Sequence, residues 1–224
     1  PAMVARRPAA AGHGKSSATK GVQRAVKSTQ SDAIFVCAAG SGGGRSRQAL
    51  LHRFGTVKEV HFSSAPNLTS EEREAPHLLE IVKAAKAAAK PKRPIFLVGH
   101  SFGARAAVHL LARDDFCRQL PSNVKGIIAF GYPLVHPTQH REKKLLELPP
   151  GTRVLFISGT RDPFMGDFKL MENTLKKSKL RHTLVKVEGG DHGLKCPKSQ
   201  EDLAVSNIQE AIKGFHQVWA ALAA

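Results

Sequence analysis

Ile95-Phe96-Leu97-Val98-Gly99-His100-Ser101-Phe102-Gly103 leads into Ala104-Arg105-Ala106-Ala107-Val108-His109-Leu110-Leu111. An apolar, β-favouring run thus gives way to a helix-favouring one through a serine set between two glycines. That pattern describes a nucleophile elbow, a sharp strand-to-helix turn that lifts a hydroxyl clear of the sheet. The glycines have a steric reason: the serine backbone is strained, and side chains at Gly99 or Gly103 would collide with neighbouring elements. The hydroxyl is left near the positive end of the helix dipole. Five residues of this kind also arise by chance in tight turns, so the flanking strand and helix carry the reading.

Outward from the elbow, short β-rich runs alternate with helical stretches. The predicted strands cover 34–38, 57–62, 95–98, 124–130, 154–158 and 183–187; the predicted helices cover 45–54, 71–90, 103–112, 141–147, 165–178 and 199–222. Mostly apolar strands, each followed by a helix, predict a doubly wound, mostly parallel six-stranded sheet covered on both faces. Ligands are then expected at the carboxyl ends of the strands.

Two further residues fall at those ends. Asp162 lies in Ser158-Gly159-Thr160-Arg161-Asp162-Pro163, just past the fifth strand, and His192 in Gly189-Gly190-Asp191-His192-Gly193, just past the sixth. The chain order is nucleophile, acid, histidine, as in α/β-hydrolases. Neutral His192 would take the proton of Ser101 as it attacks a carbonyl. Asp162 would hold the other ring nitrogen. Oxyanion donors are expected from the backbone N–H of Phe102 and from Ala39 or Gly40, at the start of the turn Ala39-Gly40-Ser41-Gly42-Gly43-Gly44.

Each residue has a plainer reading as well. Ser101 fits as a small residue in a tight turn, and Asp162 before Pro163 fits a turn start or a cap for a helix near Met165. Asp191 is a rival acid, although a residue adjacent to His192 seldom folds back onto its ring; Asp167 is expected inside the following helix. His192 itself fits a surface histidine, as His52, His77 and His216 are expected to be. The glycine run fits a phosphate cradle, but lacks the lysine and hydroxyl of a P-loop. Tyr132, Leu134, Val135, Phe164 and Met165 suit either pocket walls or core.

Length and composition bound the rest. A chain of 224 residues with 42% hydrophobic and 23% charged residues suits one globular domain, and no apolar run is long enough to span a bilayer. Cys37, Cys117 and Cys196 stand far apart, which predicts neither a disulfide framework nor a zinc site, and points to a reducing, cytoplasmic setting. No metal or cofactor is expected. Residues 1–31 hold six Lys and Arg and no acid; they predict a disordered basic arm, with organelle targeting as a rival reading, ahead of a domain at 32–224. The remaining residues carry 28 Lys and Arg against 18 Asp and Glu. Solvated helix faces account for this excess, since no nucleic-acid motif or aromatic stacking platform accompanies it.

Four stretches, GHSFGARAA (99–107), GYPLVHP (131–137), VLFISGTRDPF (154–164) and GGDHGLK (189–195), together resemble an α/β-hydrolase-like family. That family includes a small testis-expressed hydrolase-like protein and the hydrolase-like domain of a histone-acetyltransferase complex subunit, with a dienelactone-hydrolase-like core. The resemblance implies a compact α/β-hydrolase fold without a large cap domain, and matches Ser101, Asp162 and His192 to the family's serine, acid and histidine. Where the family often carries a His-Gly segment after the first strand, this chain reads Cys37-Ala38-Ala39-Gly40. The expected activity is that of a serine hydrolase acting on a small acyl or ester substrate. The alternative is a hydrolase-like scaffold whose basic surface docks an acidic protein or nucleic acid.

Overall fold

The computed structural model describes residues 33–40, 46–61, 70–135 and 141–222. The expected arm at 1–31 and positions 41–44 of the glycine run lie outside them. Six strands, β1 (Ala33–Ala38), β2 (Gly55–Val60), β3 (Ile95–His100), β4 (Val124–Phe130), β5 (Arg153–Gly159) and β6 (Arg181–Val187), form one sheet in the order β2-β1-β3-β4-β5-β6. Every pairing is parallel. Between the strands run α1 (Ser70–Ala88), α2 (Phe102–Ala112), α3 (Asp114–Cys117), α4 (Arg141–Leu146) and α5 (Phe168–Lys177), and α6 (Glu201–Leu222) closes the described chain.

Strand residues alternate between two cores. Ile34, Val36, Leu97, Ile127 and Phe156 face α1, α2, α4 and α5, while Phe35, Phe96, Ile128, Leu155 and Ile157 face α6 and the 3-10 helix Ser46–Arg53. Every residue of β1 and β3 is buried, because helices cover both faces of a central parallel strand. At the edges, β2 exposes Lys58 and Glu59, and β6 exposes Arg181, His182 and Lys186. Charge there discourages pairing with a further strand.

Hydrogen bonding moves some boundaries away from the hydrophobic pattern. β6 starts at Arg181, two residues before the predicted start at Thr183, because Arg181 pairs with Arg153 of β5. β2 starts at Gly55, where a Cβ would stand 2.2 Å from the Ala33 carbonyl oxygen, and ends at Val60 rather than at position 62. The helix expected over 165–178 begins only at Phe168. Asp167, expected inside it, is its N-cap and accepts from the Lys169 N–H at 2.8 Å. Between β4 and β5 the described residues add only α4, six residues long, so no large cap stands there. Among the described residues no helix is long and apolar enough to cross a membrane.

The strand order places the functional end of the sheet. From β1 the chain moves outward to β2, then returns to the other side of β1 for β3 and proceeds to β6. The crevice between the carboxyl ends of β1 and β3 is therefore the topological switch point, where open α/β sheets bind ligands. Ala38 pairs with Gly99, so Ala39 and Gly40 leave the sheet level with His100 and Ser101.

Candidate active site

Ser101 occupies the turn between β3 and α2 with φ 53° and ψ −113°. A non-glycine residue in such a conformation costs about 1–3 kcal/mol and persists only where its surroundings over-determine it. The surroundings do so here. Its N–H donates to the Phe130 carbonyl (3.0 Å), and its carbonyl accepts from the Arg105 N–H (3.1 Å). A Cβ at Gly99 would lie 2.1 Å from the Gly103 carbonyl carbon, and one at Gly103 would lie 2.2 Å from the Ala38 carbonyl oxygen. Both glycines are there because backbone approaches backbone. The serine hydroxyl makes no capping bond to α2, although Ser101 holds the N-cap position.

That hydroxyl meets His192 instead. Ser101 Oγ stands 2.8 Å from His192 Nε2, and His192 Nδ1 stands 2.8 Å from Asp162 Oδ2. A carboxylate only accepts hydrogen bonds, so Nδ1 carries the ring hydrogen and Nε2 is left to accept from the serine. The other carboxylate oxygen, Oδ1, accepts from the Phe164 N–H at 2.8 Å. The Asp162 side chain is wholly buried and that of His192 is 23% exposed. The chain of bonds thus runs from a sealed acid to an accessible hydroxyl. The rival acid Asp191 is occupied within its own turn, where Oδ1 accepts from the Lys195 N–H (2.9 Å).

The expected oxyanion donors belong to the turn that follows Ser101 and to the residues just past the end of β1. Phe102 opens α2, where first-turn N–H groups have no acceptor within the helix and carry its positive end. The approach of Gly103 to Ala38 and Ala39 brings the end of β1 against that same turn. Behind Phe102, the Arg105 guanidinium lies 5.3 Å from the ring centroid and 3.8 Å from Glu74 of α1. Burial raises the Glu74 carboxyl, but the His109 hydrogen bond and the charges of His109 and Arg105 outweigh it and hold the group below its ordinary range. This ion cluster docks α1 on α2. Among the described residues, no three of His, Cys, Asp or Glu stand together so as to hold a metal ion.

His77, expected at the surface, is 3% exposed and packs its ring 5.7 Å from that of Phe102. Burial pushes its imidazole down to about 3. The unfolded chain takes up a proton below pH 6.5 that the folded chain refuses until about pH 3. The stability this residue allows is therefore complete above pH 6.5 and falls by about 1.4 kcal/mol per pH unit below it. Urea unfolding should show a loss from pH 6.5 to 5 that is smaller by about 2 kcal/mol in His77→Gln than in the parent.

Two contributors, His100 and Arg47, have no signal in the sequence pattern, and a third, Phe164, reads there equally as wall or core. His100 Nε2 donates to the His192 carbonyl at 2.9 Å, so the residue before the serine steadies the histidine loop. Arg47 donates to the Leu194 carbonyl of that loop (2.9 Å) and grips Glu201 with both Nη atoms. Hydrogen bonds from Arg47 and Cys196 draw the Glu201 carboxyl down to about 2. Phe164, half exposed, sets its ring edge-on to His192 with centroids 4.7 Å apart. Of the residues that suited either wall or core, Tyr132, Leu134 and Met165 are core; only Val135 and Phe164 remain exposed.

Residues 31–220 match a family model described as an alpha/beta hydrolase domain. The fold is similar to that of a dienelactone hydrolase from Anabaena variabilis, at 17% identity and TM-score 0.58, covering 83% of this chain and 88% of that one. It is also similar to Est1E from Butyrivibrio proteoclasticus, solved with bound ferulic acid, at 14% identity and TM-score 0.59 over 83% and 90%. An alpha-beta serine hydrolase homologue from Coxiella burnetii matches at 15% identity and TM-score 0.56 over 84% and 87%. At such identities the likeness is one of fold.

Proposed function

The chain belongs to the alpha/beta hydrolase family, and from that premise we propose that it is a serine hydrolase cleaving an ester, thioester or amide through an acyl-enzyme. The observation that carries this reading is the pair of 2.8 Å contacts that His192 makes, Nε2 to Ser101 and Nδ1 to Asp162.

In this reading His192 Nε2 accepts the Ser101 proton as Oγ bonds to the substrate carbonyl carbon. The carbonyl π electrons move onto oxygen, which the N–H groups of Phe102 and of Ala39 or Gly40 receive. Asp162 stabilises the imidazolium that forms. Imidazolium then passes its proton to the leaving group as that bond breaks. Water repeats the sequence on the acyl-enzyme, releasing the acid and restoring Ser101. The hydrolase unit is residues 32–224, with residues 1–31 a basic arm, and the closer kinship is with the testis-expressed and histone-acetyltransferase-associated members. A short α4 in place of a large cap leaves the site shallow, suited to a short acyl group or to a substrate presented by a larger molecule.

A fluorophosphonate probe tests the reading directly. It should modify the folded protein at a single position, with the adduct mapped by mass spectrometry to the peptide containing Ser101. Folded protein that stays unmodified across pH 6–9 would falsify it.

A further inference from the structure

We propose that Phe164 and Val135 bind the leaving group of the substrate, and that this group is an apolar, preferably aromatic, alcohol. The inference rests on the serine-hydrolase reading and extends it to one side of the scissile bond.

The chemistry of the second half of acylation fixes where that alcohol lies. As the tetrahedral intermediate collapses, the bond from carbon to the leaving oxygen breaks, its electron pair stays on that oxygen, and the proton on His192 Nε2 moves to it. The leaving oxygen must then stand about 3 Å from Nε2. Its substituent has to run past the imidazole ring, whichever acid the ester contains. The acyl part is tied to Ser101 and to the oxyanion donors and leads elsewhere.

Among the described residues, two rings flank that imidazole. His100 lies 5.1 Å away, centroid to centroid, but is buried and bonded to the His192 carbonyl. Phe164 lies 4.7 Å away and is 48% exposed. Of these two flanks, the one that reaches solvent is the side of Phe164. Next to it stands Val135, 40% exposed, whose N–H donates to the Phe164 carbonyl at 2.9 Å. The two side chains belong to neighbouring loops, after β4 and β5, joined by that bond. The Phe164 backbone is fixed in turn by its own N–H on Asp162 Oδ1. An exposed phenyl ring and an exposed isopropyl group on anchored backbone make an apolar surface where the leaving group passes. Phenyl rings favour offset or edge-to-face partners at such distances, which is why an aromatic alcohol fits best.

The rival account has Phe164 shielding the His192–Asp162 bond from water, and it makes a different prediction. A shield affects every substrate alike; a leaving-group surface affects them according to the alcohol. Benzyl acetate and 2-methoxyethyl acetate share an acid and have alcohols of similar acidity, so the ratio of their kcat/KM values reads the subsite. The parent protein should favour the benzyl ester about tenfold. Phe164→Ala should bring the ratio close to one, Val135→Ser should lower it less, and Phe164→Leu should keep most of it.

A ratio unchanged by Phe164→Ala, whatever the absolute rates, overturns the proposal in favour of the shield. A parent protein that labels at Ser101 but does not distinguish the two esters also overturns it, and leaves the hydrolase reading standing. Protein that neither labels nor hydrolyses either ester removes the premise, and both readings fall.

Discussion

Asp162→Asn is expected to slow the reaction of Ser101 with a fluorophosphonate about 10³–10⁴-fold while leaving the fold intact. The size follows from how the carboxylate is held. Oδ1 accepts from the Phe164 N–H and Oδ2 from His192 Nδ1, each at 2.8 Å, in a side chain with no exposure. An amide has one oxygen to offer. It must stay on the Phe164 N–H, because the reverse orientation sets N–H against N–H. The NH2 group then faces Nδ1 and donates to it, which moves the ring hydrogen to Nε2. His192 would present a donor to Ser101 Oγ where an acceptor is required, and the hydroxyl would lose its base. Packing is barely altered, so the urea midpoint should change little. The companion variant Asp191→Asn separates the two candidate acids. Its amide oxygen serves the Lys195 N–H as the carboxylate does, so the labelling rate should stay close to the parent's. A fall of less than tenfold in Asp162→Asn, or an equal fall in both variants, would remove Asp162 from the acid role.

The parts of this site that are legible in the sequence are those set by local pattern and by topology. Apolar runs such as Ile95–Val98 announce buried strands, and a parallel sheet brings the carboxyl ends of β3, β5 and β6 to one edge. Ser101, Asp162 and His192 therefore come together although 91 residues separate the serine from the histidine it meets. Burial decided by tertiary packing is not legible in this way. His77 reads as one more polar residue on an amphipathic helix until α1 docks on α2 and covers it. Asp167 reads as a helix residue because the pattern marks a turn start at Asp162 but not that the turn runs on to Asp167. Arg47 finds Glu201 across 154 residues, and no periodicity encodes that meeting. Phe164 and Val135 looked alike to Tyr132 and Met165 as apolar residues beside the site. Tertiary packing settles which pair faces solvent, covering Tyr132 and Met165 in the core and leaving Phe164 and Val135 exposed.

Gly103→Ala should be strongly destabilising, lowering the free energy of unfolding by about 3 kcal/mol or more. The added Cβ would stand 2.2 Å from the Ala38 carbonyl oxygen, 2.7 Å from its carbon and 2.7 Å from the Ala39 carbonyl oxygen. All three are backbone atoms, so no side-chain rotation relieves the overlap. Relief has to come from moving the start of α2 away from the end of β1. Ala38 is held by its pairing with Val60 on one side and Gly99 on the other, while Ser101 is fixed to Phe130 through its N–H. Any shift that makes room also separates Phe102 from Ala39, the two sides on which the oxyanion donors are expected. Labelling of Ser101 should therefore fall even in whatever fraction remains folded. Gly214→Ala gives the matched comparison, because Gly214 lies inside α6 with nothing within 4 Å of an added Cβ. There the same methyl group should raise stability by about 0.5–1 kcal/mol, as expected for glycine replaced in an exposed helix interior. Urea unfolding of the two variants beside the parent reads both signs in one experiment. A Gly103→Ala protein with the parent's midpoint and labelling rate would mean that β1 and α2 do not meet as closely as the fold requires.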